Sequence, residues 1–270
     1  MLTDEQILQD LEKLKTIAAD HKAVGSEYET ETATIAGLEL DVFKNIPENL
    51  GELYRKGLVA GDKDFLVYQN ERFSFEEAFD LARRMARVLL EQFQVKPGDS
   101  VAVCARNSPE WCISYMAISL MGAIVVPMNS WWKGPELKYG LNDSGSKLIF
   151  IDPARLSLLE PFLGELNVEI VQIKPELETV FPEFYELAKS VEPLSDEEVE
   201  RIGVKADDNA TIMYTSGSTG MPKGVLSSHR SIISALYTWK FVKEINEILR
   251  PELVEENPEF DPALLANVPL

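Results

Sequence analysis

The chain has 270 residues and carries 26 Lys and Arg against 45 Asp and Glu, a formal net charge of −19. That balance argues against duplex nucleic acid or an anionic membrane surface as the main partner, because both attract cationic protein surfaces. A hydrophobic content of 45%, with 15 Gly and 15 Pro, argues against wholesale disorder and collagen-like repeats and leaves a chain able to bury a sizeable core.

The first segment reads as an amphipathic helix. Thr3 and Gln6 fit a capping box, Ile7, Leu11, Leu14 and Ala18 recur at helical spacing, and Gly25 ends the run. The polar stretch Ser26 to Thr34 reads as a linker or surface arm, so residues 1–40 are expected to form an appendage and 41–270 the domain proper. His21 is expected to be exposed on that first helix. A second helix is expected from Ser74, whose hydroxyl can cap it while Glu77 reaches back, with Ala78, Leu81, Ala82, Met85 and Leu89 on the apolar face. Val95-Lys96-Pro97-Gly98-Asp99 makes a turn, and Ser100 to Cys104 is a short buried strand. Ser108-Pro109-Glu110 starts another helix, which ends near Gly122 and feeds a strand over Ala123 to Val126.

No residue from Trp111 to Trp132 is charged, a length that could span a membrane. Gly122 and Pro127 divide the stretch and Ser114, Ser119, Asn129 and Ser130 dilute it, so a buried helix followed by a buried strand is expected, with no transmembrane segment. Further strands are expected at Lys147 to Ile151, Val168 to Ile173 and Thr211 to Tyr214. Asp152, before Pro153, closes its strand and receives no catalytic role. Helices alternating with short, mostly apolar strands predict an α/β fold of layered, mostly parallel sheets flanked by helices. The acidic, turn-rich segment Glu183 to Glu200 reads as a solvated connector. The two cysteines, Cys104 and Cys112, are too few for a disulfide framework or a four-thiolate zinc site and read as buried reduced thiols. The N-terminus has no basic and apolar leader pattern, so a cytoplasmic location is expected.

Chemistry concentrates in Thr211-Ile212-Met213-Tyr214-Thr215-Ser216-Gly217-Ser218-Thr219-Gly220-Met221-Pro222-Lys223-Gly224-Val225. A strand runs into a loop of hydroxyls and glycines that ends at a lysine. Glycine lets backbone N–H groups turn inward to cradle an anion. The hydroxyls of Thr215, Ser218 and Thr219 can donate to phosphate oxygens or hold a magnesium ion, and Lys223 supplies a point charge for a polyphosphate. The Walker pattern G-x-x-x-x-G-K-[ST] does not fit, because Met221 and Pro222 separate Gly220 from Lys223. The fingerprint G-x-G-x-x-G, the elbow G-x-S-x-G and the zinc motif H-E-x-x-H do not fit either. A flexible Ser/Gly loop without a ligand is the plainer alternative, and the order of these residues weighs against it.

Tyr214 to Val225 resembles, without a gap over twelve positions, the phosphate-binding motif of the AMP-forming adenylating enzymes: acyl- and aryl-CoA synthetases, firefly luciferase and peptide-synthetase adenylation domains. Phe73-Ser74-Phe75-Glu76-Glu77, Lys96-Pro97-Gly98-Asp99, Ala105 to Trp111 and Gly122-Ala123 through Pro127-Met128-Asn129 resemble successive upstream elements of that family. Asn129 to Leu137 looks most like fatty acyl-CoA synthetases; within it, Trp131 and Trp132 are read as anchors of a strand–helix turn. The resemblance implies ATP, magnesium and coenzyme A as cofactors and substrates, AMP as a product, and a carboxylic acid, most simply a fatty acid, as the group activated. It implies that Ser216, Gly217, Ser218, Thr219, Gly220 and Lys223 hold the β- and γ-phosphates, that Lys223 and Thr219 act in catalysis, and that Thr215 and Thr219 lie near magnesium. His229 is read as a helix-start residue capped by Ser227 or Ser228, in preference to a substrate contact.

The sequence stops at Asn267-Val268-Pro269-Leu270, before the adenine, ribose and C-terminal lysine motifs that the resemblance implies. The chain is therefore expected to be the first half of a large N-terminal domain, inactive by itself, with apolar sheet edges prone to self-association or to a complementing C-terminal half. A non-enzymatic nucleotide- or partner-binding fragment and one half of a split ligase are the alternatives. Lys240 to Leu270, rich in Glu, is expected to be a solvated surface insertion.

Overall fold

The computed structural model describes residues 4–174, 179–215 and 220–249. In chain order it begins with α1 (Asp4–His21), β1 (Thr30–Ile35), β2 (Leu38–Phe43), α2 (Leu50–Gly57), β3 (Asp64–Tyr68) and β4 (Glu71–Ser74). There follow α3 (Phe75–Glu91), β5 (Ser100–Cys104), α4 (Pro109–Leu120), β6 (Ile124–Pro127), α5 (Gly134–Ser144) and β7 (Leu148–Ile151). The chain continues with α6 (Pro153–Leu159), β8 (Glu169–Gln172), α7 (Phe184–Lys189), α8 (Asp196–Ile202), β9 (Asn209–Thr215), β10 (Lys223–Ser228) and α9 (His229–Leu249). These elements divide into two units, one of residues 49–229 and one that joins 4–48 to 230–249.

In the larger unit, local capping fixes where the helices begin. The Ser74 hydroxyl accepts from the Glu77 N–H at 3.1 Å, and the Glu77 carboxylate accepts from the Ser74 N–H at 2.9 Å, closing the expected capping box of α3. Ser108 caps α4 with Pro109 in its first turn, and Asp152 caps α6 by accepting from the Arg155 N–H at 2.9 Å. The six-stranded sheet has the order β10-β9-β6-β5-β7-β8, parallel throughout except for the antiparallel β9–β10 pair.

The period of two along each strand sends side chains to opposite faces. On one face Val101, Val103, Val125 and Phe150 pack with α3, α4 and Phe184 of α7. On the other, Ala102, Cys104, Val126, Ile149 and Ile151 pack with Trp132 and with Leu137 and Leu141 of α5. The uncharged stretch resolves into α4 and β6, both buried in this core. Among the described residues no helix is long and apolar enough to cross a membrane. Both cysteines are free, and burial pushes the Cys104 thiol up to about 12 and the Cys112 thiol up to about 11.

The segment read as a solvated connector is packed instead. Phe184 is fully buried, edge-on to Phe150 with ring centroids 6.0 Å apart, and Leu194 is 4% exposed. Two arginines of α3 hold the chain after α7: Arg84 donates to the Val191 carbonyl, and Arg87 to the Glu192 carbonyl at 2.8 Å and the Glu198 carboxylate at 2.8 Å. Glu186, Glu192, Asp196, Glu197 and Glu200 are exposed and hid the apolar anchors Phe184 and Leu194 in the sequence.

In the smaller unit, β1 and β2 form an antiparallel hairpin through Ala36 and Gly37, both at positive φ. The polar stretch read as a linker or arm thus contains strand β1. Tyr28 is 3% exposed and packs edge-on to Phe241 of α9 at 5.0 Å and to Phe43 of β2 at 6.1 Å. His21 is half-buried rather than exposed, 3.0 Å from the Ile17 carbonyl and edge-on to Phe241 at 6.3 Å. The capping residue Thr3 lies outside the described residues, as do residues 250–270.

Candidate functional site

The hydroxyl- and glycine-rich loop joins β9 to β10 across the tip of an antiparallel hairpin. Thr215 faces Lys223 in register, and its hydroxyl donates to the Lys223 carbonyl at 3.4 Å, closing the hairpin below the loop. Thr215, Gly220 and Lys223 are all exposed, so a ligand could reach each of them from solvent. Gly220 has φ +94°, a backbone region that a side chain disfavours, which is why glycine stands where the loop turns back. Gly224 answers to packing: a Cβ there would lie 2.8 Å from the Ile212 Cγ2 on the paired strand. Ser216, Gly217, Ser218 and Thr219 lie outside the described residues. The structure therefore pairs the first hydroxyl of the expected site with its lysine and leaves the last glycine exposed three residues before that lysine.

The stems of this loop are held by α5, a feature the sequence reading missed. The Tyr214 hydroxyl donates to Asp143 Oδ2 at 2.6 Å, and the Tyr139 hydroxyl donates to the Pro222 carbonyl at 3.2 Å. Tyr214 also packs edge-on to Trp132 at 5.4 Å and to Tyr139 at 6.5 Å. Burial and the bond to Asp143 raise the Tyr214 hydroxyl far above its ordinary range, so it stays a protonated donor. Trp132 anchors the turn into α5, as read from the sequence, while Trp131 stays 62% exposed beneath the Arg106 guanidinium, 4.1 Å from its ring.

His229 begins α9, as expected, but it is fully buried. Its Nδ1 accepts the Leu50 N–H at 3.2 Å, tying the end of β10 to the start of α2, and burial lowers its pKa to about 4. The ring is neutral near pH 7, with its proton on Nε2.

A concavity of about 260 Å³ opens at the carboxyl ends of β5, β7 and β8, beside Arg106, Ser108, Asp152, Arg155 and Lys174. Two of its cations are committed: Arg155 to Asp152 at 3.0 Å, and Lys174 to Glu71 and Glu110. Asp152 thus caps a helix and pairs an arginine. Among the described residues no group of three or more His, Cys, Asp or Glu is placed to hold a metal ion. Among the described residues the expected site offers the Thr215 hydroxyl, the Gly220 backbone and the Lys223 ammonium, a set that suits a polyphosphate and, through Thr215, a hard cation bound along with it.

Known proteins resemble the chain over most of its length. The sequence profile of the family described as AMP-binding enzyme matches residues 54–269. A long-chain-fatty-acid–CoA ligase, FadD13, of Mycobacterium tuberculosis is 30% identical over 197 residues, covering 73% of this chain and 37% of that protein. The 4-coumarate–CoA ligase 3 of Arabidopsis thaliana is 29% identical over 200 residues, covering 73% and 35%. The crystal structure of the anthranilate CoA ligase AuaEII with anthranoyl-AMP superposes with a TM-score of 0.62 at 26% identity, covering 67% of this chain and 35% of that one. The chain thus spans little more than a third of the length of the curated relatives it matches.

Proposed function

We propose a function from one premise: the chain belongs to the AMP-binding enzyme family, whose relatives here are AMP-forming CoA ligases. The chain carries the polyphosphate grip of such a ligase. In the reaction of the whole protein, a carboxylate oxygen attacks the α-phosphorus of ATP, the bond to pyrophosphate breaks, and an acyl-adenylate forms. The thiol of coenzyme A then attacks the acyl carbon and AMP leaves. Pyrophosphate departs with growing negative charge, and preorganised donors lower that barrier. Lys223, the backbone at Gly220 and the hydroxyls of Ser216, Ser218 and Thr219 supply those donors, with Gly217 letting the backbone approach. Thr215 and Thr219 would hold magnesium, which would neutralise phosphate charge.

The similarity to FadD13 supports a fatty acid as the activated group, although relatives named for coumarate and anthranilate match almost as well. Two free thiols, Cys104 buried and Cys112 half-buried where the sequence suggested burial for both, support a reducing compartment such as the cytoplasm. The observation that supports this reading is the hairpin register that sets Thr215 opposite Lys223, with Thr215, Gly220 and Lys223 all exposed.

Calorimetric titration with magnesium ATP tests it. The chain should bind, and Lys223→Ala should weaken binding at least about tenfold, the scale of one charge-assisted contact. Equal affinity in the two proteins would contradict it. Because positioning both reactants supplies much of such a rate enhancement, the 270-residue chain alone should show no acid-dependent ATP–pyrophosphate exchange.

A further inference from the structure

We infer that Tyr139 and Asp143 of α5 are positioning residues that clamp the two stems of the β9–β10 loop and so set the geometry of its anion-gripping tip. Asp143 and Tyr139 lie one helical turn apart, so both hydroxyl contacts come from the same face of α5. One contact takes the strand entering the loop, where Tyr214 donates to Asp143 Oδ2 at 2.6 Å. The other takes the end of the loop just before β10, where Tyr139 donates to the Pro222 carbonyl at 3.2 Å, with Asp143 Oδ1 as a second acceptor at 3.4 Å. Pro222 has no N–H, and the residue directly after it is Lys223, so the carbonyl that Tyr139 holds is one peptide from the ammonium-bearing residue. The Tyr214 hydroxyl also lies 3.3 Å from the Gly140 carbonyl, so it sits between two acceptors of α5.

Besides these contacts, the described residues flanking the tip are held by the Tyr214 ring against Trp132, the Thr215 hydroxyl on the Lys223 carbonyl and the β9–β10 pairing. Met213, Thr215, Lys223, Val225 and Leu226 are all exposed, and β10 is the last strand of the sheet. A hairpin at a sheet edge twists and frays easily unless something fixes its stems. The clamp acts on the residues that bracket the loop rather than on a ligand, and its effect on ligand binding rests on the polyphosphate reading above.

The test compares Asp143→Ala, Asp143→Asn and Tyr139→Phe in the full chain. Asp143 is exposed and Tyr139 half-buried, so the replacements should leave the melting temperature nearly unchanged. Should Asp143→Ala nonetheless lower it, Tyr139→Phe, which removes only a hydroxyl, carries the test. Amide hydrogen exchange should accelerate about tenfold in the stems around Tyr214 and Lys223 in Asp143→Ala and Tyr139→Phe, and not in β5. Affinity for inorganic triphosphate should fall by a similar factor. Asp143→Asn, which keeps an acceptor oxygen for Tyr214, should restore both. Unchanged stem exchange would overturn the clamp, and faster exchange with full triphosphate affinity would overturn its positioning role. Faster stem exchange in a protein whose wild type binds no triphosphate would uphold the clamp and defeat the polyphosphate reading.

Discussion

β5 and β10 belong to one sheet and occupy opposite environments. Every residue of β5 is buried, with parallel neighbours on both sides and helices over both faces. β10 has a single neighbour, and Lys223 to Leu226 are exposed along it. The central strand is covered on both faces, and the candidate chemistry sits on an exposed edge. The parallel core acts as a rigid frame, and the antiparallel hairpin at its margin is steered by a few side-chain contacts from α5.

This contrast can be broken most severely at the centre. Phe150, fully buried on β7 beside β5, packs against both Val103 and Phe184 within one core, so Phe150→Ala should cost about 3–5 kcal/mol in chemical denaturation. Val225→Ala on β10, where the side chain is 47% exposed, should cost no more than about 0.5 kcal/mol. Similar losses at the two positions would erase the distinction between frame and margin.

His229 gives the next largest effect. Its folded pKa of about 4 lies below the ordinary 6.5, so the unfolded chain binds a proton more readily as pH falls. The stabilisation is complete above about pH 6.5 and is lost progressively towards pH 4, on the order of 2–3 kcal/mol. Protonation would place a charge in the core and remove the Nδ1 acceptor from the Leu50 N–H. Asp208 opposes the shift by its charge and does not cancel it. Replacing His229 with Gln should flatten the stability–pH profile in that window, and an unchanged slope would show that other groups dominate it.

The smallest effect sharpens the comparison at a helix end. Ser74→Ala removes one half of the α3 capping box and should cost about 1 kcal/mol, read as a modest shift of the denaturation midpoint at constant slope.

What could be read from the sequence was mostly local. Ser74 with Glu77 and Ser108 with Pro109 announced α3 and α4 because a cap is written within four residues. The five apolar or small residues of β5 gave its bounds because a strand covered on both faces needs no alternation. The loop was legible from its residue order, and the structure adds the register of its stems. Its middle, Ser216 to Thr219, lies outside the described residues. Asp143 and Tyr139 went unnoticed because they meet Tyr214 and Pro222 from 71 and 83 positions away. Arg84 and Arg87 went unnoticed for the same reason, since their partners follow α7. The β1–β2 hairpin was hidden because Ala36 occupies a turn position that Asn or Gly would have advertised. His229 gave a helix start but no hint of its bond to Leu50, which lies 179 residues earlier.

The central claim is that the β9–β10 tip grips the phosphate tail of a nucleotide. Backbone amide spectra recorded during titration with magnesium ATP test it most directly. The account predicts saturable shifts centred on residues 214–225, with β5 silent. Saturable shifts centred on the Arg106 and Arg155 concavity, with the hairpin silent, would contradict it.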